Sequence, residues 1–186
     1  MQKQLPDTPL EAAAAIADIR LEAAALQQLL ASLSSEIFMQ PHGEKWSIAQ
    51  DVVHLELSVR PLKLVFGLPR LMLWWRFGKA NRPSRTPSEL YDRYQARLSE
   101  GVPIAAAAGF QPRVAADASP PQLIARFEEQ HDLALRKAAA YPAAALDNYV
   151  VPHPLLGKIT LRELLYFTAF HIRLHHDIIR LKAKID

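Results

Sequence analysis

The chain has 186 residues, half of them apolar and 22% charged, with a net charge of +3 and no cysteine. This balance excludes a disordered chain, and the length lets one domain bury a core without disulfides or a structural metal. Without thiols there are no disulfides, thiolate metal sites or cysteine nucleophiles, so a metal must be held by nitrogen or oxygen and any thiol must arrive with a substrate or cofactor.

The N-terminal stretch lacks the basic segment and apolar run of a signal peptide, and a cytoplasmic location is expected. Five capping boxes then punctuate the chain: Thr8–Glu11, Ser47–Gln50, Thr86–Glu89, Ser119–Gln122 and Thr160–Glu163. In each, the Ser or Thr and the Glu or Gln three residues later satisfy each other's orphan backbone donors. Three of them place Pro at the first helical position, where its missing N–H costs nothing. Helices are therefore predicted over about 9–33, 48–66, 87–100, 120–141 and 161–184. Pro61 lies inside the second and is expected to kink it.

The most apolar stretch, 61–77, is shorter than a membrane span and contains Lys63, Arg70 and Arg76, so no membrane partner is expected. Its end, 67–80, with Trp74, Trp75 and Phe77, reads as a helical extension. Residues 101–118 read as a loop crossing the bundle. Residues 147–156 are extended, because Pro152 and Pro154 forbid helix, and no strand pattern of convincing length occurs. The basic residues read as scattered, without a run or a motif, and no nucleic-acid partner is expected. The prediction is one all-α domain, 1–186, whose first, second, fourth and fifth helices are long enough to form an antiparallel four-helix bundle.

Among the seven histidines, His171 and His175 stack on one face of the last helix, four residues apart. The apolar seam Leu161, Leu164, Thr168, His171, His175, Ile178, Lys182, Ile185 points both imidazoles into the bundle. Buried imidazoles need partners; they can be hydrogen-bonded core residues, or they can share a divalent cation. The pair is not a zincin motif, because Ile172 stands where that motif requires Glu. His54, in the middle of the second helix, is the best third ligand. On a helical wheel it shares a face with Gln50, Ser58, Pro61 and Val65, off the stripe of Ile48, Val52, Leu55, Val59 and Leu62, so a place on the helix flank is equally open. His176 turns about 100° away from His175 and reads as a surface or outer residue. His42 and His131 have no partner in sequence and are expected at the surface. His153, between two prolines, is either structural or at a pocket mouth.

The run WSIAQDVVHL (Trp46–Leu55), together with HPLLGKITLRELLYFTAFHIRLHHDII (His153–Ile179), resembles the DinB-like superfamily, also called DinB/YfiT-like. The likeness is close over the second helix and over the last helix with its preceding loop. The first and fourth helices match in position and pattern, and 67–118 has no counterpart. The resemblance implies a DinB-like four-helix bundle, here with an inserted helical and loop segment. It implies a divalent metal, Zn²⁺ or Ni²⁺, on three histidines, which fall on His54, His171 and His175. It also implies a metal-dependent enzyme acting on a small-molecule substrate. Members of known activity use a low-molecular-weight thiol for S-transfer or isomerisation, and a three-His metal with an open position can lower the pKa of a thiol or water. The rival expectation is a non-catalytic, metal-binding or stress-associated bundle that acts through a homodimer or a protein partner, using the aromatic 61–80 region. An open polar cleft with a basic residue for an anionic cofactor would favour the enzyme; a closed, apolar surround and a large exposed 61–80 patch would favour the rival.

Asp51, Glu56 and Gln50 near His54, and Asp177 after His176, are candidates to orient a ligand or a water. Asp51 reads better as a solvated acid favoured by the helix dipole. Glu163 has a sufficient role in its capping box. Trp46, just before the N-cap Ser47, is expected to pack against the helix start.

Overall fold

Three of the predicted caps form as read, in a computed structural model that describes residues 5–43, 45–100 and 108–185. Ser47, Thr86 and Thr160 each accept from the backbone N–H three residues on, and Gln50, Glu89 and Glu163 return the bond. They open α3 (Ile48–Val65), α5 (Pro87–Ser99) and α7 (Leu161–Ala183). At α6 (Pro120–Ala139), Gln122 accepts from the Ser119 N–H at 3.1 Å. The fifth box does not form. α1 (Ala12–Ala31) starts after Glu11 with no side-chain cap. Leu10 beside it is taken by tertiary partners: its N–H donates to the Tyr166 hydroxyl, and its carbonyl accepts from Arg162.

Two further helices complete the set. α2 (Ser35–Met39) is a single capped turn in a stretch where no helix is predicted, and α4 (Arg70–Phe77) is the predicted aromatic extension. α3 continues through Pro61. Residues 150–160, expected to hold no strand, form a hairpin of β1 (Val150–His153) and β2 (Gly157–Thr160), with His153 opposite Gly157. The three-residue connection requires a positive φ at Gly157 (73°), which glycine adopts without strain.

The bundle is built from α1, α3, α6 and α7, and their apolar stripes meet in one core containing Ile19, Leu26, Leu55, Leu62, Phe127, Leu135, Leu165 and Ile179. α1 runs beside α7 in the same direction: Leu10 meets Arg162, and Glu22 meets Arg173. α3 likewise runs parallel to α6, as Glu56 with Arg126 and Lys63 with Gln130 show. α3 and α7 are antiparallel, with His54 against His171 and Asp51 against His175. Parallel neighbours need a long return connection. The whole of 66–119, including α4 and α5, makes that return, which gives the inserted segment its topological reason. Among the described residues no helix is long and apolar enough to cross a membrane.

Candidate metal centre

The antiparallel crossing of α3 and α7 brings His54, His171 and His175 together, all buried, with one ligand nitrogen from each lying within 4.8 Å of the others. These three nitrogens could hold a metal ion. The Nε2 atoms of His54 and His171 are 3.3 Å apart. At metal–nitrogen bonds of about 2.0–2.1 Å, tetrahedral ligands sit about 3.3–3.4 Å from one another, so the spacing fits.

The outward-facing ring nitrogens decide which atoms are available. His54 Nδ1–H donates to the Phe110 carbonyl at 2.9 Å, and His175 Nδ1–H donates to Asp51 Oδ1 at 3.2 Å. Each bond fixes the tautomer that leaves Nε2 bare. The Ser58 hydroxyl, 3.4 Å from His54 Nε2, gives its one proton to the His54 carbonyl at 2.8 Å, so it presents a second lone pair to that nitrogen. Such a set of lone pairs suits a cation. Burial pushes both the His54 and His171 imidazoles below their ordinary range, His171 the more strongly, with His175 and His54 adding to the effect there. Both are neutral at pH 7, the form that ligates.

His54 is buried although its wheel face lies off the apolar stripe. The second face of α3 is covered by a 3₁₀ turn, Ala108–Phe110, and by the ring of Trp46, whose centroid is 4.9 Å from that of His54. Trp46 therefore packs on a candidate ligand as well as on the helix start. The inward seam of α7 holds through His175; beyond it the buried position is Ile179, with Ile178 only half-buried and Ile185 exposed.

Asp51 departs from its reading as a solvated acid. It is 2% exposed, and its second oxygen accepts from Lys182, two turns along α7 from His175. Lys182 balances the carboxylate, and Asp51 holds the His175 ring. The i,i+7 spacing of His175 and Lys182 was the one sequence signal for this arrangement. Glu56 points elsewhere, to Arg60 and Arg126, Gln50 is spent on its cap, and Asp177 is exposed. His131, expected at the surface, is buried in α6 with Nδ1–H on the Phe127 carbonyl at 2.8 Å, and burial lowers it to about 4. His42 is half-buried, as is His176.

A cavity of about 200 Å³ opens beside the trio, with His54, Ser58 and His171 on its inner wall. His153 lines it too: its Nδ1 accepts from the N–H groups of Leu155 and Leu156, both at 3.2 Å, so its one ring proton is on Nε2. Burial lowers His153 to about 4 and raises the neighbouring Tyr94 to about 12, so both are neutral hydrogen-bonding groups. The remaining wall is apolar, including Val65, Phe77, Leu164 and Phe167. Among the described lining residues there is no Lys, Arg, Asp or Glu.

The DinB superfamily model matches residues 18–179, a span that takes in all three histidines. No match was found among curated proteins or solved structures.

Proposed function

This chain belongs to the DinB superfamily, and on that footing we propose that it is a metal-dependent enzyme in which His54, His171 and His175 hold one divalent ion. The observation that carries this reading is the convergence of three nitrogen donors beside an apolar cavity that two of them, His54 and His171, line. A set of neutral imidazoles without carboxylates suits Zn²⁺ or Ni²⁺ better than Mg²⁺ or Ca²⁺. When bound, the metal supplies a Lewis acid that lowers the pKa of a water or a thiol. The chain's own groups do the rest. Asp51 holds His175 in its ligating tautomer, and Phe110 does the same for His54. His153 offers Nε2–H, and the apolar wall excludes water around a small, largely uncharged electrophile.

With no cysteine in the chain, a thiol would have to come from a low-molecular-weight compound. Among the described lining residues there is no cation to pair with a polyanionic thiol, which favours water or a sparsely charged thiol as the nucleophile.

The test is metal content per chain, by plasma mass spectrometry, on untagged protein. About one equivalent of a single transition metal is expected. No metal, and none retained after incubation with Zn²⁺, Ni²⁺, Mn²⁺ or Fe²⁺, would sink the reading. Asp51→Asn should weaken metal affinity roughly 10–100-fold, as removal of a ligand's orienting carboxylate does; competition with a chromophoric chelator measures it. The rival reading, a non-catalytic metal-binding bundle working through a partner, is favoured by two observations: the largely apolar surround of the histidines and the exposed apolar side chains of α4. It leads if metal-loaded protein turns over no electrophile with water or thiols.

A further inference from the structure

The basic residues are not scattered evenly after all. Seven Lys or Arg and no Asp or Glu lie between residues 57 and 88, so this segment carries +7 in a chain whose net charge is +3. Arg60, Arg82 and Arg85 are paired with Glu56 and Glu163. Arg70, Arg76 and Lys79 are exposed, with no carboxylate in ion-pair reach among the described residues. These three surround α4.

On α4 the residues follow one another at about 100° per residue. Leu73 points into the core and is fully buried. Leu71, Met72, Trp74 and Trp75 occupy the opposite arc and are 68%, 51%, 53% and 84% exposed. By the same rotation that arc is about 160° wide, with Arg70 at one edge and Arg76 at the other. Lys79 lies over the Trp74 ring, 5.7 Å from its centroid. An exposed apolar arc with indoles on it and cations along both margins has the composition of a helix lying in a lipid interface.

We propose that α4 docks this face onto an anionic membrane surface, with Leu71, Met72, Trp74 and Trp75 at the headgroup boundary and Arg70, Arg76 and Lys79 on lipid phosphates. The charge distribution selects this occupant over a second copy. A two-fold interface through α4 would set the patch against itself, placing two strongly basic segments face to face. Leu64, 62% exposed, and Phe77, the last residue of α4, both also line the cavity beside the histidines. The cavity mouth therefore adjoins the docked face, and an apolar substrate would enter from the lipid. That last consequence rests on the proposed function; the docking itself does not.

The experiment is flotation of the full chain with vesicles of phosphatidylcholine alone or mixed with phosphatidylserine, at low and high salt. Wild type should float with the anionic vesicles, less with the neutral ones, and less in high salt. Trp75→Ala, and separately Arg70→Gln with Arg76→Gln, should each weaken anionic-vesicle binding on the order of tenfold, with unchanged circular dichroism. His171→Ala should float as wild type does, so loss of the metal reading and loss of this one are separable. Failure of wild type to float with anionic vesicles at low salt overturns the proposal. So does flotation that neither variant alters, or a dimer in sedimentation velocity that Trp75→Ala dissociates without any flotation.

Discussion

His171→Ala and His54→Ala are each expected to abolish stoichiometric metal retention while leaving the helical circular dichroism signal in place. The loss should exceed the roughly 10–100-fold caused by removing an outer partner, because two bare nitrogens cannot replace three. The bundle should survive, because its core of Ile19, Leu55, Phe127, Leu165 and their neighbours is packed without help from the ion. By the same logic a chelator should lower the melting temperature of the loaded wild type only by the linkage free energy of the ion, and should leave it folded. If His54→Ala keeps its metal, the three-ligand site is wrong. If both variants lose their helical signal, the histidines serve the fold and not a ligand.

Glu163→Gln is expected to be the most damaging single substitution away from the apolar core, at about 3 kcal/mol, since it leaves Arg82 unpaired against a buried acceptor. The carboxylate is fully buried and accepts from Arg82 at 2.6 and 2.9 Å, from the Arg85 N–H at 2.7 Å and from the Thr160 N–H at 2.9 Å. It thereby ties the 82–85 strap to the start of α7. In a domain of this size the melting temperature should fall by roughly 6–12 °C. Burial alone would raise the pKa of Glu163, but the bonds from Arg82, the Arg85 N–H and the Thr160 N–H outweigh it, and the net shift is downward from 4.5. A lowered carboxylate contributes stability above its unfolded pKa and loses it as pH falls through the folded one. Its share of the acid limb therefore begins below about pH 4.5. His131 acts earlier: kept neutral in the fold and lowered to about 4, it withdraws stability as pH drops from 6.5 toward 4. Urea titrations between pH 8 and 3 should show wild type weakening in these two stages, with the lower one reduced in Glu163→Gln; Asp147, also lowered by its bond from Arg162, supplies part of the remainder. A variant with wild-type stability, or an unchanged lower stage, would contradict this role.

What the sequence disclosed follows the range of the interactions involved. Caps at Ser47, Thr86 and Thr160 are local, so residue spacing reveals them. The box at Thr8 does not form, and the helix entrance is held instead by Arg162 and Tyr166, some 150 residues away, on the Leu10 backbone. The hairpin escaped notice because its strands have four residues each, too few for alternation to register, and proline marked them only as non-helical. The inward direction of His171 and His175 was legible because α7 carries its own apolar seam. The burial of His54, Asp51 and His131 was not. A wheel describes one helix, and the second face of α3 is closed by Phe110 and α7, while His131 lies under neighbours from other elements. Lys182 illustrates the same limit: a lysine in an apolar seam reads as an edge, and only the partner helix reveals that it neutralises Asp51.

The parallel pairing of α1 with α7 also bears on how the chain is made. Among the described residues α1 finds its main bundle neighbours in α6 and α7, far along the chain. About 130 residues separate the end of α1 from the start of α7, which at about 5–20 residues per second is roughly 7–26 seconds of translation. Until α6 emerges, Ile16, Ile19, Leu26 and Leu30 have no native bundle surface to bury against, and α7 completes that surface only at the end of the interval. The growing chain therefore exposes an apolar stripe that the finished domain covers.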